Sequence, residues 1–104
     1  MTAPNTETLR QTLRQLAELA RERELEQHLA RLYQYFQLWR TMEIDNFEML
    51  DMIEQFHKEV ATDLNQTYDL MDDNILVTKA LAQGLLDKEE VPVEILQRIY
   101  RQAQ

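Results

Sequence analysis

The stretch Glu43–Glu48 (EIDNFE) decides the fold, because one long amphipathic run stops there and another begins. Asp45 stands three residues before Glu48, which is the spacing of a helix-capping box with Asp in place of the usual Ser or Thr. From Asn46 to Met71 the apolar residues fall within one arc of about 140° on a helical wheel. We therefore expect a helix of about 26 residues to begin here and to run antiparallel to the helix before it.

The run before this turn carries two neighbouring groups of apolar side chains. The first group spans about 120° of the wheel and consists of Leu25, Leu29, Leu32, Tyr33, Phe36 and Trp39. Tyr35, Leu38 and Met42 form a second group beside it, and the two groups together span about 220°. Packing against the helix after Asp45 needs little more than the first group, so the second group requires another neighbour.

Two neighbours for the second group stay open, namely the later helices of the same chain and a second copy of the chain. The helices are long for a chain of 104 residues, which leaves helix surface that the chain cannot cover by itself. Large aromatic residues beside Met and Arg are also typical of interface centres. Self-association is therefore favoured, and the predicted homodimer interface consists of Arg31, Tyr35, Leu38, Trp39 and Met42.

The N-terminal part of the chain predicts a further amphipathic helix. Asn5 or Thr6 can cap it after Pro4. Its buried side is predicted to consist of Leu9, Leu13, Leu16 and Ala20. The apolar side changes across Arg21–Glu24, so either one long helix buries opposite sides of its two halves or a turn forms there. All four residues are good helix formers, which slightly favours one continuous helix.

Two shorter helices are predicted in the C-terminal part. A polar break at Asp72–Asn74 precedes the first of them, and Gly84 can end it as a left-handed cap. Pro92 suits the first turn of the last helix. The residues predicted to be buried on these two helices are Ile75, Val77, Leu81 and Leu85, then Val93, Leu96, Ile99 and Tyr100.

The composition agrees with a chain built from helices. It contains one glycine and two prolines, so it offers few residues for tight turns, and no run reads as a strand. The length suits one domain with a modest core. We predict a single all-α domain over residues 1–104, a bundle of four to five helices built around a long antiparallel hairpin.

The charge of the chain is concentrated in its middle. The net charge is −8, and residues 45–73 carry nine acidic residues and one basic residue. An acidic chain repels phosphate backbones, so nucleic acid is not expected as a partner. The acidic residues either form a solvated face or a docking face for a basic protein. The candidate docking residues are Glu48, Asp51, Glu59 and Asp69.

One motif suggests metal chemistry. Glu54 and His57 form a Glu-x-x-His pair of the kind that di-iron carboxylate bundles use twice. This chain has one such pair, so a dimer would have to supply the second. The favoured interpretation is structural, either an ion pair between Glu54 and Arg31 or a hydrogen-bonded histidine in the core. No metal site and no cofactor are therefore predicted.

The sequence also indicates which classes of function to expect. Serine and cysteine are absent, so the chain has no seryl or cysteinyl nucleophile, and nothing else indicates an enzyme. No secretory signal or apolar run of membrane-spanning length occurs, so we expect a cytoplasmic protein without a membrane partner. The predicted function is a non-enzymatic, self-associating interaction module: an adaptor, assembly chaperone, inhibitor or immunity-type factor. A di-iron-like metal-binding bundle is the alternative.

Overall fold

The protein is mostly helical in the part described by its computed structural model, residues 6–102. Its elements are α1 (Thr6–Arg40), α2 (Asn46–His57), a π-helical segment (Lys58–Leu64), α3 (Asn65–Leu70), α4 (Asp73–Gln83), a short 3₁₀ turn (Lys88–Glu90) and α5 (Val93–Gln102). Residues 6–102 contain no strand. The predicted all-α fold with a long helical hairpin is confirmed. Asn5, one of the two predicted caps, lies outside the described residues.

The chain divides into two compact units. The terminal unit combines residues 1–22 with 71–104, and the hairpin unit is Arg23–Leu70. α1 belongs to both, because it runs unbroken through Arg21–Glu24 as local helix propensity favours. The single domain expected over residues 1–104 stays a prediction.

The terminal unit has a well-formed apolar core. It holds twelve of the fourteen buried apolar side chains in the described part of the chain. They are Leu13, Leu16, Ala17, Ala20, Leu76, Val77, Ala80, Leu85, Leu86, Val91, Ile95 and Ile99. The buried side predicted for the start of α1 is confirmed, with Leu9 half-buried at its edge.

Five of the eight residues predicted to be buried on the C-terminal helices are placed differently. Ile75, Val93 and Tyr100 are exposed, and Leu81 and Leu96 are half-buried. On α5, the backbone N–H groups of Ile95 and Leu96 donate to the Pro92 carbonyl. Ile95 lies on the inner side of the helix, and Ile99 follows one turn later.

Gly84 ends α4 as the sequence predicts. Its φ of +77° is in the left-handed region, where an L side chain is strained. The N–H of Leu85 donates to the Ala80 carbonyl at 2.9 Å, and the N–H of Gly84 donates to the Leu81 carbonyl at 3.3 Å. This is a Schellman cap, and it lets the chain turn directly into the buried Leu85.

The turn between α1 and α2 uses the same cap with a methionine in place of glycine. Met42 has a φ of +64°. The N–H of Glu43 donates to the Leu38 carbonyl at 2.9 Å, and the N–H of Met42 donates to the Trp39 carbonyl at 3.1 Å. The predicted capping box at Asp45 then starts α2, since its carboxylate accepts from the backbone N–H of Glu48 at 2.8 Å.

Replacing Met42 by glycine is expected to stabilise the protein. The Met42 side chain is 91% exposed, so its removal loses little packing. Relief of the left-handed strain outweighs the backbone entropy of glycine, and we expect a gain of about 0.5–1 kcal/mol. The midpoint of urea unfolding measures this gain. Met42→Ala is the control because it keeps the strained Cβ, and an equal gain from alanine would contradict the explanation.

Candidate protein-binding site

The hairpin unit leaves many of its large apolar side chains exposed. Only Met49 and Leu64 are buried among its apolar residues. Its exposed large apolar side chains are Leu29, Tyr33, Phe36, Trp39, Met42, Phe47, Leu50, Ile53 and Leu70. A contiguous apolar surface on a small protein is typical of a binding site for another macromolecule.

On α1 these exposed residues belong to a coiled-coil pattern. Leu25, Leu29, Leu32, Phe36 and Trp39 recur at spacings of four, three, four and three. Written as a heptad, Leu29 and Phe36 occupy position a, and Leu25, Leu32 and Trp39 occupy position d. Such a repeat is the seam along which a helix packs against another helix.

The hairpin covers one flank of this seam and leaves the other open. Leu32, Tyr35 and Leu38 are half-buried, whereas Leu29 is 49% exposed and Tyr33 is 63% exposed. This partly reverses the expected roles of the two apolar groups, because Tyr35 and Leu38 of the second group are half-buried, whereas much of the first group is left uncovered. The two groups are adjacent, so the geometry of the turn at Met42 decides which of them meets α2.

α2 extends the uncovered surface. Leu50 and Ile53 are exposed and lie about 100° and 40° to one side of the buried Met49. Leu29 and Phe36 lie about 120° and 100° from the half-buried Tyr35 in the same rotational sense. In two antiparallel neighbouring helices, rotation in the same sense leads to the same face of the pair.

A hydrogen bond joins the two helices near the turn, and two aromatic rings of α1 pack against each other beside it. The Trp39 Nε1–H donates to the Asn46 Oδ1 at 2.7 Å. The Phe36 and Trp39 rings meet edge to face, with centroids 6.3 Å apart and planes at 83°. We call the surface formed by Leu29, Tyr33, Phe36, Leu50 and Ile53 the open seam.

A polar cluster joins α1 to the π-helical segment away from the turn. The Glu59 Oε2 lies 3.5 Å from the His28 Nδ1 and 4.0 Å from the Arg31 Nη1. Its other oxygen accepts from the Gln55 side chain at 3.0 Å. The polar cluster lines a small pocket of about 120 Å³. The lining residues are His28, Arg31, Gln55 and Glu59 of the cluster, with Leu32, Tyr35, Met52 and Phe56. Glu59 therefore has a structural role within the hairpin.

Within residues 6–102, the predicted metal pair belongs to no larger group of possible metal ligands. Glu54 and His57 are both exposed, so His57 is not the core residue that the apolar pattern suggested. Arg31 lies beside Glu59 rather than beside Glu54 as predicted, and His28 also lies beside Glu59. Among residues 6–102 there is no group of three or more His, Cys, Asp or Glu side chains that could hold a metal ion.

The candidate acidic docking residues are not all available for a partner. Glu48 closes the capping box, and Glu59 holds the polar cluster, so both have partners in the hairpin. Asp51 and Asp69 are exposed. On α2, Glu48 and Asp51 lie about 100° and 160° from Met49, on the side away from the open seam.

The five predicted interface residues are divided between exposed and half-buried positions. Arg31, Trp39 and Met42 are exposed, and Tyr35 and Leu38 are half-buried. Leu29, Tyr33 and Phe36 were not among them, although their heptad spacing is a signal that the sequence contains.

None of the helices in residues 6–102 combines the length and the apolar character that crossing a bilayer requires.

Comparison with protein-family models, with curated proteins and with solved structures yields no match to this chain.

Proposed function

We propose that this protein is a non-enzymatic interaction module that works by burying the open seam of its hairpin against another protein chain, first of all a second copy of itself. It would act as a small acidic cytoplasmic protein of the adaptor, assembly-chaperone, inhibitor or immunity type. The single observation that supports the proposal most is the contrast between the units, since nearly all buried apolar residues belong to the terminal unit.

The energetics favour association over leaving the open seam in water. Full burial of a large apolar side chain is worth roughly 1.5–3 kcal/mol. The five residues of the open seam are each between about one third and two thirds exposed. In a symmetric contact each residue of the open seam is buried on both copies, so both copies contribute to this gain.

The charge distribution agrees with this arrangement. The hairpin unit has ten acidic and four basic residues, so it carries most of the negative charge of the chain. Because Asp51 lies on the side of α2 away from the open seam, a contact through the seam does not bury it. Asp51 would remain accessible to a basic protein partner, whose binding should weaken as salt increases.

Replacing Tyr33 by lysine tests the proposal. Lysine would place a charge in the open seam of both copies, so we expect the mass in light scattering to stay near the chain mass of 12.5 kDa. The unmodified protein should approach twice that mass as its concentration rises. Val93→Lys is the matched control, because Val93 is also 63% exposed but belongs to the terminal unit.

Two outcomes would contradict the proposal. The unmodified protein could stay at the chain mass at every concentration reached, which would remove self-association. Alternatively, Val93→Lys could dissociate the assembly while Tyr33→Lys leaves it intact, which would place the contact outside the hairpin unit. Circular dichroism of both variants checks that each remains helical.

A further inference from the structure

We infer that the second copy packs antiparallel on the first, across a two-fold axis that crosses α1 at Tyr33, with Glu26 of each copy paired to Arg40 of the other. This inference rests on the proposed function and specifies the geometry of the same surface. It depends on the order of charged and apolar residues along the uncovered flank of α1.

The apolar residues of the open seam are arranged about Tyr33. A two-fold axis at this residue brings position 33+n of one helix beside position 33−n of the other. Phe36 lies three residues after Tyr33 and Leu29 four residues before it. Leu29 of one copy and Phe36 of the other would thus come within about 1.5 Å of the same height along the helix. The Tyr33 side chains would meet at the axis itself.

The charged residues of the same flank are arranged about the same point. Glu26, Tyr33 and Arg40 all occupy heptad position e, at spacings of seven residues. Glu26 and Arg40 are exposed, and neither forms an ion pair with another residue in the part of the chain that the structure describes. The two-fold axis at Tyr33 places Glu26 of one copy opposite Arg40 of the other, twice.

A parallel contact between the two copies of α1 would lose this complementarity. Each charged residue would then lie at the same height as the same residue of the other copy, so that Glu26 would be beside Glu26 and Arg40 beside Arg40. Charges that flank a helical seam select the orientation of the partner in this way. A second copy is therefore an occupant whose charges, as well as its apolar residues, match the open seam.

The second helix of the hairpin agrees with the same axis. Asn46 is bonded to Trp39 near the turn, and Glu59 lies beside His28 and Arg31 further along. Interpolating between these contacts places Ile53 at about the height of Tyr33. One two-fold axis, perpendicular to the direction of the two helices, thus passes over both of them at the middle of the open seam. Two hairpins related by this axis would form a four-helix arrangement.

Cysteine cross-linking tests the geometry, because the chain contains no cysteine of its own. Tyr33→Cys should form a disulfide-linked dimer under mild oxidation, since this position lies at the axis. Leu29→Cys is the control. Its two copies would be about 12 Å apart along the helix, beyond the roughly 7 Å that a disulfide allows. A mixture of Leu29→Cys and Phe36→Cys chains should give the mixed dimer.

A charge exchange tests the same geometry without altering the apolar residues. Glu26→Arg alone, or Arg40→Glu alone, places like charges opposite each other twice, and we expect the dissociation constant to rise by roughly tenfold. The variant that carries both substitutions restores the pairs, and its dissociation constant should return to within about twofold of the unmodified protein.

The outcomes separate the geometry from the proposed function. Two results in a protein that has the mass of a dimer would overturn the antiparallel arrangement but leave the interaction function standing. One is a disulfide-linked dimer of Leu29→Cys, and the other is a dissociation constant that does not recover in the doubly substituted variant. A protein that remains at the chain mass at every concentration would overturn both.

Discussion

Replacing Glu22 by proline is expected to destabilise the protein by about 3 kcal/mol or more, which is a large part of the 5–15 kcal/mol typical of a small domain. Glu22 is exposed and lies inside α1, far from both helix ends. Proline would remove the hydrogen bond from its backbone N–H and clash with the carbonyl one turn earlier. Urea unfolding followed by circular dichroism measures the loss.

Glu22→Ala is the matched control for this prediction. Alanine removes the same side chain but keeps the backbone N–H and favours a helix, so the free energy of unfolding should stay within about 0.5 kcal/mol of the unmodified protein. If proline were tolerated as well as alanine, residues 21–24 would form a turn, and α1 would be two helices.

Replacing Ile95 by alanine is expected to cost about 2–5 kcal/mol of stability. Ile95 is 0% exposed and lies in the middle of the core of the terminal unit. Alanine would remove three carbon atoms there and leave a cavity that the surrounding helices fill only partly. The midpoint of urea unfolding, measured at one protein concentration, reports the change.

Ile75→Ala is the control in the same unit. Ile75 is 50% exposed, so the same substitution loses less buried surface and should cost about 1 kcal/mol or less. Equal costs at the two positions would contradict the placement of the core, because the sequence pattern alone predicts Ile75 to be buried.

The parts of the fold that depend on local chemistry could be predicted from the sequence. The capping box at Asp45 and the left-handed cap at Gly84 each follow from one or two residues whose preferences are strong. The continuity of α1 follows from the helix propensity of Arg21–Glu24.

The packing of the hairpin could not be predicted in the same way. Tyr35 and Leu29 both belong to apolar groups of α1, and the helical wheel alone allows either group to meet α2. The turn at Met42 makes the choice, because its left-handed backbone sets the direction in which the chain leaves α1. A left-handed methionine is rare enough that the sequence gives no reason to expect it.

The π-helical segment Lys58–Leu64 was also missed, since a continuous helix was expected from Asn46 to Met71. Its wider turns change the register of the residues that follow, so a wheel drawn for an α-helix misplaces them. This segment positions Glu59 against Arg31, whereas the sequence suggested an ion pair between Arg31 and Glu54.

The most direct test of the open seam as a self-binding surface is an isotope-filtered NOE spectrum of a mixture of labelled and unlabelled chains. If two copies bury the seam against each other, cross-peaks between chains should join the Phe36 ring to the Leu29 methyl groups. Cross-peaks between chains that involve only residues of the terminal unit, or none at the highest concentration reached, would show that the seam is not where this protein meets its own copy.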